Sequence, residues 1–150
     1  IISIQIALEA LSYIILVEKE GLLDDEQFDQ NNASKNIKLV LNACNIPHGS
    51  DELELFDDWI RGKFDDGVDL VIYFRNKIVH PVRKDNRANL SRKRNKATLY
   101  VEDMWNIIQI GTKYIELIVL SFIGYKGEYS NRLKERWFGE VEVVPWNKLD

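Results

Sequence analysis

Positions 68 to 81 read Val68-Asp69-Leu70-Val71-Ile72-Tyr73-Phe74-Arg75-Asn76-Lys77-Ile78-Val79-His80-Pro81. Apolar residues occur on nearly every side of a helix drawn through this stretch, the pattern of a buried helix. The residue before a proline is disfavoured in the α region, so the helix is predicted to run from about Val68 to His80 and stop there. That places a histidine at a helix C-terminus, beside the negative end of the helix dipole. Asn76 and His80 are four apart and share a face. Arg75 stands about 100° round from Asn76, at ~3.6 residues per turn. Charged groups on an otherwise apolar helix need partners or a function, and these three could converge on one ligand.

Working outward, the chain has 150 residues, 45% hydrophobic and 29% charged, which predicts one globular, soluble domain with its own core. The net charge of −4 is unevenly spread. Between Arg83 and Lys96, seven basic residues (Arg83, Lys84, Arg87, Arg92, Lys93, Arg94 and Lys96) face one acid, Asp85, giving +6 there and leaving −10 for the rest. Cys44 is the sole cysteine, which excludes an internal disulfide and fits a reducing, cytoplasmic setting. With no CxxC pair and two histidines, no metal site and no cofactor are expected. The start carries Glu9 and lacks a basic n-region, unlike a signal peptide, and no apolar run reaches the ~18 residues of a membrane span. The first residue is Ile1 rather than Met, from which the chain is expected to be the C-terminal part of a longer protein.

The remaining elements follow from periodicity. Residues 1 to about 20 carry Ile4, Ala7, Leu8, Leu11, Ile14 and Ile15 as an inward stripe, ending near Gly21. Ile2, Ile6, Tyr13 and Leu16 widen that apolar surface, through either deep burial or a second subunit. Residues 24 to 33 read as an acidic, amide-rich loop. A helix is predicted from about Ser34, with Ile37, Val40, Leu41 and Cys44 inward. After Pro47-His48-Gly49, where His48 reads as incidental to any site, a helix capped by Ser50 or Asp51 turns Leu53, Phe56, Trp59 and Ile60 inward and Glu52, Glu54, Asp57 and Asp58 to solvent. Residues 81 to 96 read as a mobile loop. Thr98 caps a long helix to about Ile123, with Met104, Trp105, Ile108, Tyr114, Ile115, Ile118, Val119 and Phe122 on its stripe; Trp105 and Tyr114 read as core. The tail ends in the alternating Glu140-Val141-Glu142-Val143, a short strand or an extended arm. The fold class is thus all-α.

Arginine, amide and histidine without a metal suit ribonuclease chemistry. RNA supplies its own nucleophile, the 2′-hydroxyl. Histidine serves as a base near neutral pH, and the arginine fork stabilises phosphoryl oxygens. One histidine per chain falls short of an acid and base pair, which two chains meeting at the motif would supply. Lys77 and the basic segment (Arg83, Lys84, Arg87, Arg92, Lys93, Arg94) would track phosphates.

Arg75-Asn76-Lys77-Ile78-Val79-His80 resembles the R-x4-6-H signature of HEPN domains, in the form with Asn after the Arg and Pro after the His. The tail residues Arg136-Trp137-Phe138-Gly139-Glu140-Val141-Glu142 and Pro145-Trp146 are similar, more loosely, to HEPN domains of ApeA-type anti-phage proteins. The resemblance implies an up-and-down bundle of four to five helices with an extended C-terminal arm. It also implies a homodimer with facing motifs and metal-independent endoribonuclease cleavage leaving a 2′,3′-cyclic phosphate. Arg75, Asn76 and His80 would carry the site, in an effector of phage defence or of a toxin-like system. The alternative is a non-catalytic module that dimerises or binds RNA or nucleotides. A plainer reading, a C-cap network at the helix end, also fits His80.

Overall fold

A computed structural model describes residues 1–80, 101–134 and 140–147, with the backbone alone at 101 and 102. The described residues are mostly helical. α1 (Ile2–Tyr13) continues without a break into a π-helical segment, Ile14–Lys19, and the chain leaves it through Gly21 at φ +59°. α2 (Asp25–Gln30) is a short helix where a loop was expected. Its cause is a capping box: Asp24 accepts from the Gln27 amide at 2.7 Å while the Gln27 side chain accepts from the Asp24 amide. α3 (Ala33–Ala43) starts at Asn32, whose side chain caps Lys35 N.

The single helix expected after Ser50 is two pieces, a 3-10 turn (Ser50–Leu55) and α4 (Asp58–Arg61). The chain is extended at Phe56 and Asp57 between them. Leu53, Phe56 and Ile60 are buried as the periodicity predicts and Trp59 is half-buried, but Glu52, expected in solvent, is buried.

α5 (Gly67–Val79) and the 22-residue α6 (Val101–Phe122) match the predicted spans closely. α1, α3, α5 and α6 pack together, and Ile37, Val40, Leu41, Leu70, Val71, Ile107, Ile110, Tyr114, Leu117 and Ile118 fill the space between them. Gly111 of α6 lies against Ile4 of α1 so closely that a Cβ there would overlap the isoleucine methyl. The tail forms a two-residue antiparallel ladder of β1 (Glu128–Tyr129) with β2 (Glu142–Val143), followed by a 3-10 turn at Pro145–Asn147. The alternating segment is therefore a strand, and its partner is β1.

Further burial expectations are corrected. Trp105, read as core, is 60% exposed, and Val119 and Phe122 of the expected stripe are exposed too, because the buried line of α6 runs through Ile107, Ile110, Tyr114, Leu117 and Ile118. Ile14 is exposed while Leu16 is buried, because the π-helical turn there advances the face by more than an α turn would. The motif helix is buried only in its first two turns: its last turn leaves Ile78 46% and Val79 38% exposed. No helix among the described residues is long and apolar enough to cross a membrane.

Candidate functional site

α5 is fixed firmly at its N-terminus. Asp66 accepts from the Asp69 amide at 2.9 Å, capping the helix. Lys38 of α3 reaches both acids, with Nζ 2.8 Å from Asp66 Oδ2 and 2.8 Å from Asp69 Oδ2, and Ser34 donates to Asp69 Oδ1 at 2.6 Å. Partial burial opposes the Asp69 charge, but Lys38 and Ser34 outweigh it and hold this carboxyl below its ordinary range. Burial likewise opposes the Lys38 charge, and Asp66 and Asp69 outweigh it, so the ammonium is held above its usual value.

Beside this cap lies a second buried polar cluster. Lys113 of α6 pairs with Glu52 at 2.7 Å, and the Tyr114 hydroxyl donates to the other Glu52 oxygen. Burial, then Glu52, drives the Tyr114 hydroxyl well above its ordinary pKa. Gly67 is the contact point between cluster and helix. A Cβ there would sit 2.6 Å from Glu52 Oε2, 2.7 Å from Ile110 and 2.8 Å from the Tyr114 oxygen. Sequence periodicity missed this cluster because Glu52 belongs to a run of acids that reads as solvated. The one signal for it was Lys113, a cation on the apolar stripe of α6.

The other end of α5 carries the motif. Arg75 Nη1 donates to Asn76 Oδ1 at 3.1 Å. The Arg75 Nε is buried and has no hydrogen-bond partner among the described residues. His80 is the C-cap, as the Pro81 argument predicts, and its amide donates to Asn76 O at 2.9 Å. Its imidazole is exposed and takes no hydrogen bond among the described residues. Arg75 and Asn76 are thus brought together, while His80, one turn on, is joined to neither through its side chain among the described residues. Lys77 is exposed on the same helix. Arg83, Lys84, Arg87, Arg92, Lys93 and Arg94 lie outside the described residues, as do Thr98 and Arg136 to Gly139.

Two further features of the surface make poorer sites. A cleft of about 840 Å³ opens between the 3-10 turn, α6 and the C-terminal strands, over the Glu52–Lys113 pair. Asp51, Glu52, Glu54 and Glu142 outnumber Lys113 and Lys134 in its lining, which disfavours a phosphate. His48 only approaches Ile46 O, at 3.3 Å. Among the described residues no group of three or more histidine, cysteine or acidic side chains is placed to hold a metal.

Residues 1–143 match the family described as the YopA C-terminal domain. The chain is 32% identical over 152 residues to the SPbeta prophage-derived uncharacterized protein YopA of Bacillus subtilis (strain 168), covering 100% of this chain and 32% of that relative. It therefore spans about a third of the relative's length. No solved structure matches it. Because the family match runs from the first helix through the motif to β2, the chain belongs to the YopA C-terminal domain family.

Proposed function

We propose that this domain is a HEPN-like, metal-independent endoribonuclease whose site is Arg75, Asn76 and His80. The observation that carries the reading is the state of the α5 C-terminus. A guanidinium bonded to an amide is followed one turn on by an exposed imidazole, at the end of a helix whose other end is anchored by Lys38. In this mechanism His80 takes the proton of the 2′-hydroxyl as general base. The Arg75 fork stabilises charge on the phosphoryl oxygens, and Asn76 positions the Arg75 fork through their hydrogen bond. One chain offers one such imidazole. The exposed Ile78 and Val79 beside it support a homodimer in which two motifs face one cleft, the second His80 protonating the leaving 5′-oxygen. The relative's prophage origin suits an effector of phage–host conflict, acting in the cytoplasm.

The same exposed Ile78 and Val79 also favour a second reading, a non-catalytic module that dimerises or binds RNA or nucleotides. Incubation with total RNA in EDTA separates the two. The ribonuclease reading expects cleavage products ending in 2′,3′-cyclic phosphate. Cleavage that EDTA abolishes and Mg²⁺ restores overturns the mechanism, and intact RNA leaves the binding module.

A further inference from the structure

The exposed face of α5 extends upstream of His80. Tyr73, Asn76, Lys77 and His80 are spaced to share one side of the helix. Above Tyr73 sits Lys63, from the turn after α4, with Nζ 3.8 Å from the ring centroid and 5.2 Å from that of Phe64. Lys77 Nζ approaches the same Tyr73 ring at 5.4 Å. The ring is itself set by two edge-on aromatics, Phe64 at 5.0 Å and Phe74 at 5.1 Å between centroids.

Neither lysine forms an ion pair among the described residues; the lysines that do are Lys19, Lys38, Lys113 and Lys134. The difference matters electrostatically. A carboxylate would cancel an ammonium, whereas an aromatic ring attracts it by only ~0.5–1 kcal/mol at an exposed site and leaves its charge intact. Both ammonium groups therefore keep their charge around one ring, where an anion would meet two cations held by the same side chain. The Tyr73 hydroxyl registers both charges. It lies below its ordinary pKa chiefly through Lys63, with Lys77 adding and burial opposing.

We propose that Lys63 and Lys77, ordered on the Tyr73 ring, form a phosphate subsite for single-stranded RNA that holds a phosphate neighbouring the one cleaved. This rests on the ribonuclease reading of the motif. The Tyr73 ring on which both ammonium groups rest precedes His80 by seven residues, roughly 10 Å along the axis at ~1.5 Å per residue, which displaces the subsite from the reacting phosphate. The subsite therefore sets affinity and register on the strand, and the chemistry stays with Arg75 and His80. One face of the Tyr73 ring is taken by Lys63, so the ring orders cations rather than stacking a base.

The test measures fluorescence anisotropy of a short labelled oligouridylate in EDTA. It uses His80→Ala protein, so that no strand is cut, with and without Lys63→Ala plus Lys77→Ala. Binding should weaken about tenfold, and the slope of log affinity against log salt should become shallower by about 0.7 for each phosphate that is no longer neutralised. Tyr73→Phe, which keeps the ring, should bind as the parent does, and Tyr73→Leu should weaken it. Both lysines are exposed, so the thermal midpoint should not move. Unchanged affinity and slope in the double variant overturn the subsite, even if wild-type protein cleaves RNA. Failure of wild-type protein to cleave RNA, with the double variant still binding weakly, overturns the ribonuclease reading and leaves the subsite as a binding site.

Discussion

The two ends of α5 are built on opposite rules. At the N-terminal end the charges packed against the chain have partners: Asp66 and Asp69 with Lys38, and Glu52 with Lys113 and Tyr114. At the C-terminal end, among the described residues, the His80 imidazole is exposed and takes no hydrogen bond, and Lys63 and Lys77 rest on an aromatic ring rather than on a carboxylate. Burying a charge is tolerable only with compensation, so the first end reads as structure. On the proposed ribonuclease reading, the second keeps its charge and hydrogen-bonding capacity for RNA. The same residue types thus serve architecture or recognition according to whether the chain itself satisfies them.

The largest expected effect falls on the structural end. Glu52→Ala strands the Lys113 ammonium, whose residue is only 8% exposed, and should cost about 3–5 kcal/mol, read from denaturant midpoints. A loss under ~1 kcal/mol would mean that this pair is solvated and the contrast between the ends fails on its buried side. Gly67→Ala drives a methyl into Glu52, Ile110 and Tyr114 and should cost about 1–3 kcal/mol. Equal stability would show that the α5–α6 approach is looser than its geometry.

Asp69→Asn is a smaller and pH-dependent case. Asp69 sits below its ordinary 3.8, so its stabilisation is present above that value and lost as pH falls through the lower folded one. Lys38 sits above its ordinary 10.5, so its contribution is present below that value and lost as pH rises past the higher folded one. The pair is partly solvated, so at neutral pH the variant should be less stable by no more than ~1 kcal/mol. The gap should close once the pH is well below 3.8. A gap that persists there would assign the loss to packing rather than charge.

The helical elements were largely legible because their signals are local. Pro81 stops α5 at His80, Gly21 ends the first helical run, and periodicity marks the core of α3. What escaped was set by neighbours distant in sequence. Glu52 looks solvated until Lys113, 61 positions on, is folded beside it. Trp105 looks like core until the packing of α1 and α5 on α6 selects a different line of residues. The motif was legible as a spacing. Lys63, separated from it by the start of α5, was not, since only the fold lays it over Tyr73.

The claim that the two ends of α5 divide structure from function is tested most directly by His80→Ala, read for thermal midpoint and for RNA cleavage on the same sample. The imidazole is exposed and unbonded among the described residues, so the midpoint should stay where it is. Loss of a general base should slow cleavage by about 10²–10⁴-fold. A lowered midpoint, or cleavage at the wild-type rate, would contradict the account.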